Sequence, residues 1–243
     1  MSRWKASGIH VLLSCAIVGA VLAVMVTVWY PLPLFELAGG SGITLILAGV
    51  DVTLGPLITL IIFKSGKKGL KFDLAFIAAM QATALIYGIH IVFVARPIYI
   101  LFAIDRFNLV AAKDLDPNDI AKATYPEFRS LPLGRPTYIA AVLPTDTKEK
   151  TELLFSGLAG KDVELFPKYY VPYEQQAANA VKRSKDIAVL LKRDPQAVRG
   201  FLDSAGRAPD SVRYLPLRAR ADASVLIDAS SGAPLGIVKV DPW

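Results

Sequence analysis

An aspartate lies inside a membrane-length apolar run. Ile43 to Phe63 reads ITLILAGVDVTLGPLITLIIF, with Asp51 its only formal charge and the helix-breaking pair Gly55-Pro56 just after it. Carrying a carboxylate into hydrocarbon costs on the order of 3 kcal/mol at a helix centre, so Asp51 needs a partner, a water path or a task. Residue types exclude most other chemistry. The two histidines, His10 and His90, and the single cysteine, Cys15, all fall at or within apolar runs. Residues 96–243 contain neither His nor Cys, which excludes imidazole or thiolate metal sites there, as well as Ser-His or Cys-His catalysis. Gly39-Gly40-Ser41-Gly42 lacks the lysine and helix context of a phosphate-cradling loop. Asp114, Asp116 and Asp119 resemble part of a calcium loop but lack its spaced glycine and terminal glutamate, so they read as a solvated turn. The chain reads as a non-enzyme with no cofactor or metal.

These residues must be positioned by two very different halves. Of the 243 residues 53% are hydrophobic, and the apolar ones concentrate before Arg96. Three runs, about 9–30, 43–63 and 74–95, fit the roughly 20 residues that a spanning helix needs. They define a three-helix transmembrane domain over residues 1–95. Run one is too long for a cleaved signal peptide and has no small-x-small site leading into its Tyr30-Pro31-Leu32-Pro33 exit. Arg3 and Lys5 precede it, and Lys64, Lys67, Lys68 and Lys71 separate runs two and three, whereas the loop 31–42 has no Lys or Arg. The positive-inside bias then puts the N-terminus and the basic loop in the cytoplasm and residues 96–243 outside the inner membrane. The basic residues behind the net charge of +6 are unevenly placed, and residues 96–243 are too nearly balanced in charge for a nucleic-acid role.

Rise per residue sets depth within the bundle. At about 1.5 Å per residue, Asp51 and Tyr87 lie at similar heights, with His90 a turn nearer the outside. Three readings stand for Asp51: a polar contact with Tyr87 and His90, a contact with another membrane helix, or ion transport. Ser14, Thr53, Gln81 and Thr83 add hydrogen-bonding groups, and Ala16/Ala20, Gly19/Ala23 and Ala84/Gly88 allow close helix approach.

Residues 96–243 read as a periplasmic α+β domain with antiparallel strands. Expected strands are one or two within Pro97 to Val110, then Thr137 to Leu143, Val212 to Ala219, Ala223 to Asp228 and Leu235 to Val240. Pro216 suggests an edge strand. Asp146 and Glu149 form a capping box for a helix to about Ser156. The longest helix is expected over Tyr173 to Arg193, and Asp194-Pro195 starts another that ends near Gly206. Two segments are candidates for partner docking: the charged pair Asp105-Arg106, and Tyr169, Tyr170 and Tyr173 in FPKYYVPY, whose rings suit an interface or wedge the loop against the core.

MSRWKASGIHVLLS, GVDVTLGPLITLIIFKSGKKGLKFD, ARPIYILFAIDRFNLV and FPKYYVPYEQQ together resemble the TfpX/TfpZ family of type IV pilin accessory proteins. The resemblance implies an inner-membrane, chaperone-like accessory protein that supports the stability or assembly of a type IV pilin, major or minor. Its implied partners are that pilin, other inner-membrane pilus assembly components and membrane lipid. The residues by themselves leave a second reading, a membrane-anchored periplasmic ligand-sensing or regulatory module.

Overall fold

The computed structural model describes residues 2–243, without the side chains of residues 43, 46 and 47. Helix α1 (Arg3–Val24) is capped by the Ser2 hydroxyl and runs on through a π-helical turn, Met25–Trp29. After the four-residue α2 (Leu34–Leu37), helical structure is unbroken through α3 (Gly40–Ala48), a second π turn (Gly49–Leu54) and α4 (Gly55–Ile62). Helix α5 spans Leu70–Val94. Two of these, Arg3–Trp29 and Leu70–Val94, are long and apolar enough to cross a membrane, and Gly49–Ile62 is a shorter apolar helix.

Strands begin directly after α5. The hairpin β1 (Pro97–Ala103) and β2 (Arg106–Ala111) is followed by the short α6 (Pro117–Ile120), β3 (Thr137–Ala141), α7 (Thr147–Leu158) and β4 (Tyr170–Pro172). Then come α8 (Ala177–Arg183), β5 (Lys185–Asp186), α9 (Ala188–Arg193), α10 (Pro195–Ala205), β6 (Val212–Arg218), β7 (Ala223–Asp228) and β8 (Pro234–Val238). One sheet of order β4-β3-β1-β2-β6-β7-β8 holds them, with β5 also on β6. It is mixed rather than purely antiparallel, because β1/β3 and β2/β6 run parallel.

Strand β1 is buried along its whole length because both faces of the sheet are covered, which its unalternating PIYILFA already signals. Ile98, Leu101 and Ala103 pack with Phe128, Leu153 and Tyr170 on one side. Ile100 and Phe102 pack with Phe107, Tyr173 and Ala180 on the other. A third cluster joins Leu190, Val198 and Leu202 to Tyr214 and Leu226.

Three expectations are corrected. The helix over Tyr173 to Arg193 is broken, and α7 is longer than either piece. The break lies at Ser184, where Arg213 donates to both the hydroxyl (2.7 Å) and the carbonyl (3.0 Å). Lys185 and Asp186 then pair with Tyr214 and Arg213 of β6; tertiary hydrogen bonds outbid helix propensity. Pro216 is not on an edge strand, since β6 lies between β2 and β7. Its missing N–H is tolerated because β5 pairs at residues 213–214 and β2 at 217–218, leaving a gap at Pro216. Finally, the loop between the first two apolar runs belongs to the sheet domain. Leu34 and Leu37 are buried in the same cluster as Phe102, Leu215 and Val225, each contributing about 1.5–3 kcal/mol. Ala221 N–H donates to the Leu37 carbonyl (3.3 Å), and Lys239 pairs with Glu36.

Candidate functional site

Gly55-Pro56 does not break the helix as expected: the π turn passes straight into α4, and Pro56 instead shapes the segment around Asp51. In the π turn the Gly55 N–H bonds the Val50 carbonyl. The next donor in that register would be Pro56, which has no N–H. The Asp51 carbonyl is therefore orphaned, and Gln81 of α5 supplies the donor from its Nε2 at 3.3 Å. Gly55 makes room for this, since a Cβ there would overlap the Gln81 amide. Two further bonds hold α1 to α4: Ser7 Oγ donates to the Pro56 carbonyl (2.9 Å), and His10 Nδ1 and Thr59 Oγ1 are 2.7 Å apart.

The Asp51 side chain is buried, with 5% of its surface exposed, and its Oδ1 has no hydrogen-bond partner among the described residues. It lies at the floor of a groove of about 230 Å³ lined by His10, Leu13, Ser14, Val18, Ala82 and Leu85 among others. Alpha-4 and the π turn lie between α1 and α5, so the groove's walls are α1 and α5. Those two helices meet at their far ends, where Met25, Tyr30 and Val92 are buried together and the Tyr30 hydroxyl donates to the Val92 carbonyl (2.8 Å).

Tyr87 and His90 do not meet Asp51. Tyr87 is 67% exposed and lines a shallow hollow with Phe76, Met80 and Thr83 on another face of α5, and His90 is exposed. Rise per residue fixes height but not azimuth: Gln81 and Leu85 face the groove, and Tyr87 lies about 200° around the helix from Leu85. Gln81 was legible as a hydrogen-bonding group; its assignment needed the Pro56 orphan and the Gly55 gap to be read together. Lys64, Lys67, Lys68 and Lys71 are all exposed, and Lys67 pairs with Asp73 at 2.6 Å.

In the sheet domain, Tyr170 and Tyr173 are buried and are core residues rather than docking groups. The Tyr170 hydroxyl donates to the Glu164 carbonyl, and that of Tyr173 to the Gly232 carbonyl (2.7 Å). Burial raises both phenols well above their ordinary range. Tyr169 is half-buried and donates to Glu149 (2.9 Å), a carboxylate also held by Lys168 at 2.6 Å and thereby kept below its usual range. Asp105 and Arg106 form an ion pair (2.8 Å) at the β1–β2 turn. The three-aspartate segment splits into separate tasks. Asp114 accepts from the Ala111 N–H, Asp116 caps α6, and Asp119 binds Lys122 and Lys161.

An exposed apolar patch went unnoticed in the sequence. Leu154, Phe155 and Leu158 of α7 are 64%, 65% and 78% exposed. Leu154 and Leu158 line a hollow of about 560 Å³ with Ile104, Leu143 and Leu153. Ile104 has φ 62°, a left-handed conformation that strains a β-branched residue by about 1–3 kcal/mol. The signal was the TELLFSGL string, whose apolar residues are too many for one core-facing stripe.

The sheet domain is fixed to the apolar helices. Arg96, 2% exposed, donates to the carbonyls of Phe93 (2.6 Å) and Pro132 (2.9 Å), and Arg135 donates to the Thr27 carbonyl (2.8 Å).

A family model described as Fimbrial assembly protein FimB matches residues 1–39. These residues comprise α1, one wall of the Asp51 groove, and the loop that docks on the sheet. The chain is 29% identical over 220 residues to the Fimbrial assembly protein, serogroup I, of Dichelobacter nodosus, which covers 88% of this chain and 85% of that one. It is 32% identical over 122 residues to the Fimbrial assembly protein, serogroups C1 and C2, of the same organism, covering 49% of this chain and 92% of that one. No solved structure matches.

Proposed function

The chain belongs to the fimbrial assembly protein family, and from that premise we propose that it is a non-enzymatic inner-membrane accessory to type IV pilin assembly, of the TfpX/TfpZ kind. Alpha-1, the helix from α3 to α4, and α5 are its three spans. The N-terminus and the lysine loop face the cytoplasm, and the sheet domain stands in the periplasm. The protein holds a pilin in a stable, assembly-competent state by touching both its membrane helix and its periplasmic part.

One observation carries this reading: the sheet domain is locked to the spans by Leu34, Leu37, Arg96 and Arg135, while each half keeps an uncovered surface. In the bundle that surface is the Asp51 groove, and in the sheet domain it is the α7 patch. Two modest contacts presented at a fixed separation reinforce each other through effective concentration. Exposed leucines and a phenylalanine on one helix face suit a protein partner better than they suit water.

Crosslinking in cells that make the cognate pilin, followed by purification of this protein, is expected to recover that pilin. Recovery of none would overturn the proposal. Deleting the gene and comparing total pilin with surface pili separates the two modes of action. Loss of pilin itself indicates stabilisation, and loss of surface pili at constant pilin indicates assembly.

A further inference from the structure

We propose that the groove between α1 and α5 seats an apolar helix of the pilin, and that this helix presents an N–H or O–H donor to the Asp51 carboxylate. The inference rests on the assembly reading above and assigns its intramembrane contact.

The walls and the floor of the groove ask for different chemistry. Leu13, Ile17, Val18, Ala78, Ala82 and Leu85 make the walls apolar. Ala78 and Ala82, one turn apart and both exposed, permit close backbone approach. At the floor is a carboxylate 95% out of solvent that accepts no hydrogen bond from the described residues. The polar groups that line the groove with it do not serve Oδ1: Gln81 Nε2 holds a main-chain carbonyl, His10 Nδ1 is taken by Thr59, and Ser14 does not bond it. A lipid acyl chain would match the walls and leave the carboxylate without a donor, a desolvation cost that a charged group feels most. A helix with one donor at that depth satisfies both. The volume, about 230 Å³, accepts the side chains of one helix face and leaves the backbone of the guest at the rim.

A photoreactive amino acid placed at Ala82 in the full-length protein, in cells making the cognate pilin, tests this directly. Controls carry the same label at Thr83, on the other face of α5, and at Leu154 of the α7 patch. A pilin adduct is expected from position 82 but not from 83. It should fall about tenfold in Asp51→Leu, as expected for one lost charge-assisted hydrogen bond, and persist in Asp51→Asn, which keeps an acceptor oxygen. Ala78→Leu, which fills the groove from an exposed position and leaves the carboxylate intact, should also abolish it. Lipid adducts alone at position 82, or equal pilin adducts from 82 and 83, would overturn the groove. Pilin adducts from 154 without any from 82 would do the same while leaving the assembly reading intact. Adducts from none of the three would sink both.

Discussion

Asp51 is a carboxylate whose main-chain oxygen is better satisfied than its side chain. Gln81 answers the carbonyl that Pro56 orphans, and Oδ1 is left without a donor among the described residues. This reverses the usual expectation for a buried charge. Asp51→Leu is expected to raise the thermal midpoint of the purified protein in detergent, since an unsatisfied buried acceptor costs about 1–3 kcal/mol. The same variant should lower pilus output, a trade of activity for stability that marks functional sites. A fall in the midpoint would show that Asp51 serves the bundle itself. Gly55 is the other sensitive position. Gly55→Ala pushes the Gln81 amide off the Asp51 carbonyl and should cost about 1–3 kcal/mol in the same thermal measurement. Because both changes act through one bond, Gly55→Ala combined with Gln81→Ala should cost less than the sum of the two.

Among the elements, the sheet depends on tyrosines held neutral. Burial raises Tyr99, beside Glu127, and Tyr138 each to about 12, against an ordinary value near 10. A phenol raised in the fold adds stability that is whole below the unfolded value and is lost as pH climbs through the folded one. The domain should therefore weaken between pH 10 and about 12, followed as phenolate absorbance rising together with loss of structure. Tyr138→Phe should make that loss shallower, because burial alone shifts Tyr138. Asp119 works in the opposite direction. Held low by Lys161 and Lys122, it contributes stability above the usual carboxylate range that disappears as pH falls below it, and Asp119→Asn should flatten that acid limb. Short elements explain why the α8–α9 region escaped prediction: its fate was decided by Arg213, a residue 29 positions beyond Ser184.

For the molecule as a whole, the loop between the first two apolar runs is the point of interest. Leu34 and Leu37 reach into the core of a sheet whose strands begin 60 residues later, so the boundary drawn at residue 95 cuts through a packed interface. Residues 96–243 made alone are expected to expose that seat, bind a hydrophobic dye and aggregate. The full chain in detergent should not. A well-behaved monomeric fragment of equal thermal stability would show the loop to be dispensable. In the full chain, Leu37→Ala should cost about 2–5 kcal/mol by leaving a cavity, detectable as a lowered unfolding midpoint.

Local physics made much of this chain legible. Composition and hydropathy separate the apolar helices from the sheet domain. Capping residues place α7 behind Asp146 and α10 between Asp194 and Gly206. Alternation and turns place β7 at Ala223–Asp228 and its neighbours within a few residues. Each of these is written within a few positions of where it acts. The tertiary structure decided what no local window contains. It turned Gln81 rather than Tyr87 toward Asp51, because azimuth is set by how helices pack. It made the sheet mixed, because parallel pairing joins distant strands. It buried Tyr170 and Tyr173 and left Leu154 and Leu158 uncovered, because a ring or an aliphatic chain becomes core or surface only when other elements arrive to cover it.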